Sequence, residues 1–185
     1  MLYYIEEYLK TVAITGYKNV KFLSAETFLK TSRQQVQQIQ FFDASLIASW
    51  QHLYFAAINA LQSFHAGTNV SKSLAVETIL YASAVRQIQK AIRLLGIKPS
   101  TASVAIVVFG ETREEVAGLL DQVSRYLDTA PDDAVLELDE VKAAKIREAF
   151  NIADQELRTV SKSSDSNVAL VSLVVERVAL LATQL

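Results

Sequence analysis

The stretch Phe41–Lys98, FFDASLIASWQHLYFAAINALQSFHAGTNVSKSLAVETILYASAVRQIQKAIRLLGIK, decides the fold: it reads as three or four consecutive helices. In the first, Leu46, Trp50, Leu53, Tyr54, Ala57, Leu61 and Phe64 recur at the spacing of one helix side. Asp43 or Ser45 is expected to cap its start, and Gly67 lies just past its end. The second, about Ser73 to Ala82, carries Leu74, Ile79 and Leu80 and one internal acid, Glu77. The third is expected to face inward through Val85, Ile88, Ile92 and Leu95 and to end at Gly96. Arg86, Lys90 and Arg93 then fall at i, i+4 and i+7, a shared outward stripe of three cations. Gln87, Ala91 and Leu94 lie on another side of that helix, which hints at a partner surface.

Working outward, Leu2–Tyr8 and Thr11–Gly16 are rich in aromatic and β-branched residues and read as a hairpin, although Leu9-Lys10 is not a standard turn pair. Asn19–Leu23 is a candidate third strand. A helix from Ser24 to about Val36, anchored by Phe28 and Leu29, follows, and Ile39–Phe42 reads as a short strand. Ala102–Phe109 (ASVAIVVF) is a continuous apolar run, expected of a central strand buried on both faces. Thr112 with Glu115 reads as a capping box ahead of a helix whose inward stripe is Val116, Leu119, Leu120, Val123 and Leu127. Asp128–Asp133 is a loop, Asp139 opens a helix through Phe150, and Asp154 a shorter one through Val160. The Ser161–Ser166 segment is the most linker-like part. The terminal helix beyond it is apolar on more than one side, which allows either burial in its own core or docking of a partner. The fold expectation is α+β: one mostly helical domain over residues 1–185 with a small, mainly antiparallel sheet. It divides into a hairpin (1–23), a helical core (24–98), and a strand with C-terminal helices (99–185).

Composition narrows the function classes. A chain of 185 residues that is 51% hydrophobic can bury a sizeable core, and it has no cysteine for disulfides or thiolate metal sites. The start, MLYYIEEYLK, lacks the basic opening of a signal peptide, and no apolar run approaches the roughly twenty residues of a membrane span. The expectation is a soluble, cytoplasmic protein with no membrane role. Net charge is −2 but unevenly placed. From Val70 to Pro99 five cations meet only Glu77, whereas Glu111–Arg158 holds thirteen acids against six bases. That asymmetry permits a local anionic partner on an acidic protein.

Catalytic constellations are hard to find in it. His52 and His65 lie on different faces of one helix without carboxylates at ligand spacing, and no two glycines form a phosphate-cradling loop. Asp132-Asp133 and Asp139-Glu140 sit where helix caps and solvated charge explain them. The reading is that the chain is not an enzyme and needs no cofactor or metal.

A resemblance sharpens this. The ordered set Ala60, Leu61, Phe64, then Gly67, Asn69, Lys72, Ser73, Leu74, Val76, Glu77, then Arg86, Gln87, Ile88, Ala91, Ile92, Gly96, Ile97 and Lys98 resembles the Cgi family, the TPRKB-like kinase-binding subunits of the KEOPS complex, in its archaeal-like form. The resemblance implies a non-catalytic regulatory subunit. Its partners would be the small atypical kinase, acting as an ATPase, and the 3′ CCA end of tRNA, in support of threonylcarbamoyl-adenosine (t6A) modification. It makes Lys72, Arg86, Gln87, Lys90 and Arg93 the tRNA candidates. The over-apolar terminal helix supplies the kinase candidates Val171, Val174, Val175, Val178 and Leu181. Self-association of the free chain stays open. The competing readings are a small α+β enzyme with an unrecognised site and a self-associating scaffold without an RNA role.

Overall fold

The computed structural model describes residues 1–21, 38–161 and 165–183. The expected helix from Ser24 to Val36 and the end of the Asn19–Leu23 stretch lie outside the described residues. Four antiparallel strands, β1 (Leu2–Ile5), β2 (Lys10–Tyr17), β3 (Ile39–Asp43) and β4 (Val104–Gly110), form one sheet in the order β1-β2-β4-β3. The apolar run in β4 is central, and every residue from Val104 to Gly110 is buried. The hairpin forms as expected, but its connection is a short helical turn, Glu6–Tyr8, closed by Leu9 in the left-handed region. Asn19 to Lys21 form no strand; only the Val20 amide reaches across, donating to the Ala102 carbonyl at 2.9 Å.

Strand alternation divides β4 between two faces. Val104, Ile106 and Val108 join Ala13, Tyr17 and Phe41 on the side covered by α4 (Arg113–Leu127), which contributes Val116, Leu119, Val123 and Leu127. Tyr17 Oη lies 3.1 Å from Ser124 Oγ and fixes that helix on the sheet. Ala105, Val107 and Phe109 face the larger layer. It holds α1 (Trp50–Ala66), α2 (Leu74–Ala82), α3 (Ile88–Leu95), α5 (Glu140–Ala149), α6 (Asp154–Val160) and α7 (Ser166–Leu181). The architecture is the α+β fold that the sequence pattern implies.

Three local readings change. α1 begins at Trp50 with Ser49 as its cap; Asp43 instead caps the short turn Ala44–Leu46 through the Ser45 amide. At α4 Thr112 Oγ1 accepts the Glu115 amide as in a capping box, but the Glu115 carboxylate accepts the Glu111 amide at 2.7 Å rather than that of the cap itself. α3 is rotated from the expected phase. Its buried residues are Ala91 and Leu95, with Leu94 half-buried, while Ile88 and Ile92 stand 36% and 48% exposed.

The turn Asp133–Leu136 packs directly on β2, with the Asp132 amide donating to the Gly16 carbonyl at 2.7 Å. A Cβ at Gly16 would run into Val135 Cγ2 and come within 3.0 Å of the Asp132 carbonyl oxygen. Gly16→Ala is therefore expected to destabilise the fold by about 1–3 kcal/mol, as overpacking of a tight contact does. Urea denaturation checks it, and a variant as stable as the parent would show that the turn is free to retreat.

Candidate functional site

The loop between α1 and α2 is built around a buried carboxylate. Glu77, 2% exposed, accepts the Ser71 amide at 2.7 Å and the Val70 amide at 3.1 Å. Gly67 ends α1 at φ 68°, in the left-handed region that suits glycine. Asn69 donates to the Ser71 carbonyl, and the Ser73 hydroxyl caps α2 through the Val76 amide. Each of these residues thus has a structural task. Lys72, held exposed among them, has none, and it borders a small pocket of about 200 Å³ with Lys10, Gln38 and Phe64.

α2 stops in a Schellman arrangement: Ala84 adopts φ 52°, its amide donates to the Tyr81 carbonyl, and the Val85 amide donates to Leu80. The chain then needs several residues before it becomes helical again. This separates the candidate cations. Arg86 is half-buried ahead of α3, Gln87 is the exposed N-cap residue, and only Lys90 and Arg93 ride on the helix, both exposed. The expected three-cation stripe on one helix is corrected to two helical cations with Arg86 set before them. Exposed Ile88 and Ile92 share the accessible side of α3, so that surface is mixed apolar and cationic.

The terminal helix uses several of its apolar sides internally. Val174 and Val178 are fully buried and Leu181 is 3% exposed, all in the chain's own core. As surface contacts these three are unavailable, because α7 lies along α1 and buries that side. Val171 and Val175 remain half-exposed and line a groove of about 620 Å³ with Val168. The opposite wall comes from α1, where Phe55 stands 42% exposed and Trp50 is held by a stacked Tyr3 at 5.6 Å between ring centres. Trp50, one of the residues on the single apolar side read from the sequence, is half-buried on this wall. Phe55 was not legible as a site residue; the only signal was an aromatic beside the inward stripe rather than in it.

The groove floor includes Leu136 and Leu138. Lys142 anchors that segment from beneath, its ammonium donating to the Val135 carbonyl at 2.8 Å and to that of Glu137 at 3.1 Å. Burial pushes this lysine down to about 8, with Asp139 acting in the opposite direction. At its far end α7 is tied to α6 by Arg177, which donates to Glu156 at 3.0 Å and to the Phe150 carbonyl at 3.1 Å. The groove walls are therefore firmly positioned.

Each of the two histidines has a packing partner of its own. His52 is fully buried between two backbone groups, and His65 lies against Tyr8 at 5.8 Å between ring centres. Asp132 and Asp139 cap the turn and α5 through the Ala134 and Lys142 amides. Among the described residues no helix is long and apolar enough to cross a membrane.

Residues 14–182 match the family model described as "Kinase binding protein CGI-121". The match spans most of the chain, and the chain belongs to this family of kinase-binding proteins. No curated protein matches it.

Proposed function

We propose that this member of the CGI-121 family is the non-catalytic regulatory subunit of a cytoplasmic KEOPS-type complex. It holds the small atypical kinase at the groove beside α7 and the 3′ CCA end of tRNA at the surface of α3 and Lys72, in support of t6A formation. The observation that carries the reading is an accessible, rigidly built apolar groove on a kinase-binding protein, with Val171 and Val175 on one wall and Phe55 on the other.

The RNA half rests on a narrower argument. Of the residues that carry the resemblance, Lys72, Gln87, Ile88 and Ile92 are exposed and have no evident packing task. Cations serve phosphates, while unpaired bases need amide contacts or a flat group to stack on; Lys90 and Arg93 supply the first, and the exposed Gln87 and Gln89 amides with the Arg93 guanidinium plane supply the second. α3 packs on α2, away from the groove walls formed by α1 and α7, so one chain can hold both partners at once.

Point substitutions separate the two halves better than truncation, since removing the end of α7 would take out buried Val178 and Leu181. Val171→Asp with Val175→Asp is expected to weaken kinase binding about 30-fold or more, the loss of roughly 2 kcal/mol of interface, and to leave tRNA binding unchanged. Lys90→Glu with Arg93→Glu is expected to do the reverse, with tRNA affinity falling severalfold or more. The log–log salt slope should flatten by about 0.7 for each single-strand phosphate contact removed. Titrations with intact and CCA-trimmed tRNA form the stricter arm. Equal affinity of the parent protein for both would remove the end-specific role. A parent protein that binds no kinase would overturn the main reading.

A further inference from the structure

We infer that the groove beside α7 receives a cationic amphipathic helix of the kinase partner, its apolar ridge between the aromatic and valine walls and a Lys or Arg at the Glu137 rim. This rests on the kinase-docking reading and specifies what enters the site.

The shape argues for a helix. Val168, Val171 and Val175 stand at i, i+3 and i+7 along α7, so the wall runs about 10 Å, or two helical turns. A ridge of side chains spaced one turn apart meets such a wall along its length, whereas a strand turns alternate side chains away. The lining residues come from α1 with the segment before it, α7, Met1 and the 133–138 segment. Only Met1, which continues the edge strand β1, touches the sheet, so a docking strand would find one residue of backbone edge here rather than a length of it.

The charge argues for a cation. Among the described residues lining the groove there are two carboxylates, Asp133 and Glu137, and no Lys, Arg or His. Asp133 already accepts the Thr15 hydroxyl at 2.6 Å and pairs at 3.6 Å with the Met1 ammonium, the one cation that lines the groove among the described residues, which leaves Glu137 as the unbalanced charge. Glu137 is exposed, and among the described residues its carboxylate has no hydrogen bond or ion pair. A neutral or acidic partner covering it would strip water from an unpaired charge, which is costly. A cationic one converts the same burial into attraction and faster encounter.

The test uses the full chain and the purified kinase. Glu137→Lys is expected to weaken the complex about tenfold at low salt. The parent's affinity should fall with added NaCl, and Glu137→Gln should show a flatter dependence. Photo-crosslinking from p-benzoylphenylalanine at position 55, mapped by mass spectrometry, should reach a helical kinase segment carrying Lys or Arg one turn from apolar residues. Parental affinity in Glu137→Lys would overturn the inference, as would a crosslink to an acidic or non-helical segment. A crosslink to residues 88–95 of a second copy would also overturn it and assign the groove to self-association, since α3 is itself cationic with exposed isoleucines. If Val171→Asp weakens the complex while Glu137→Lys does not, kinase docking stands and the cationic helix falls. If the parent binds no kinase, both fall.

Discussion

Lowering the pH from 6.5 to 4 is expected to remove about 3 kcal/mol of folding stability through one side chain, His52. The residue sits on α1 with no solvent exposure, its ring edge-on to Phe150 at 5.5 Å between centres. Its Nδ1 accepts the Ala48 amide at 3.3 Å, so the proton resides on Nε2, which donates to the Ala82 carbonyl at 2.8 Å. The neutral ring thereby joins the start of α1 to the end of α2. Burial lowers its pKa from 6.5 to about 4; the Ala82 carbonyl acts against that shift, and the nearby Lys142 charge adds to it. The folded value lies below the unfolded one, so the unfolded chain takes up the proton first. The stability is fully present above about pH 6.5 and drains away as the pH falls towards 4. Urea denaturation at several pH values reads this directly. Carboxylates titrate in the same range, so His52→Leu is the control: less stable at pH 7, but with most of the slope between 6.5 and 4 gone. An unchanged slope in that variant would assign the acid sensitivity elsewhere.

The parts of the fold that were legible in the sequence are those where one periodicity has one partner. The run at Val104–Gly110 is apolar at every position because both faces of β4 are covered, and nothing but a central strand accounts for it. The stripe on α4 is equally plain, since its other side is charged. α3 misled because its apolar residues spread over an arc of about 160°, wider than the strip its neighbours cover, so the pattern alone does not choose which part of the arc is buried. Small Ala91 lets α3 approach its neighbour closely, and that tertiary contact leaves Ile88 and Ile92 outside. The left-handed residue that delays this helix is Ala84, where a glycine would have announced the break. The groove was still less visible. It exists only because α1 and α7, more than a hundred residues apart, lie side by side, and the excess apolarity of α7 reported that something covers it without saying what. In the structure Val174 and Val178 belong to the core, Val171 and Val175 line the groove, and Leu180 stands 49% exposed outside both.

Replacing Glu77 with alanine is expected to destabilise the protein by about 3 kcal/mol and to disorganise the loop that carries Lys72. The carboxylate is buried and answers two backbone donors, Val70 N–H and Ser71 N–H, that have no other partner in the loop. Its removal leaves both without an acceptor: the buried Ser71 amide costs about 1–3 kcal/mol as an orphan, whereas Val70, 46% exposed, can turn its amide to water, and the emptied volume adds to the loss. Glu77→Gln keeps the volume and one acceptor oxygen but turns an amide NH₂ towards a donor, so an intermediate loss follows. Hydrogen exchange at the Val70 and Ser71 amides locates the damage in this loop rather than in the sheet. The RNA measurement then separates positioning from charge. Removing an acid from the basic side of the molecule should, by electrostatics alone, strengthen binding to a polyanion. If the carboxylate instead sets the geometry that presents Lys72, Glu77→Gln binds tRNA more weakly despite its more positive charge, at temperatures where the variant remains folded. Tighter binding with unchanged exchange at both amides would reduce Glu77 to an unfavourable charge in a basic patch and would free Lys72 from any dependence on this loop.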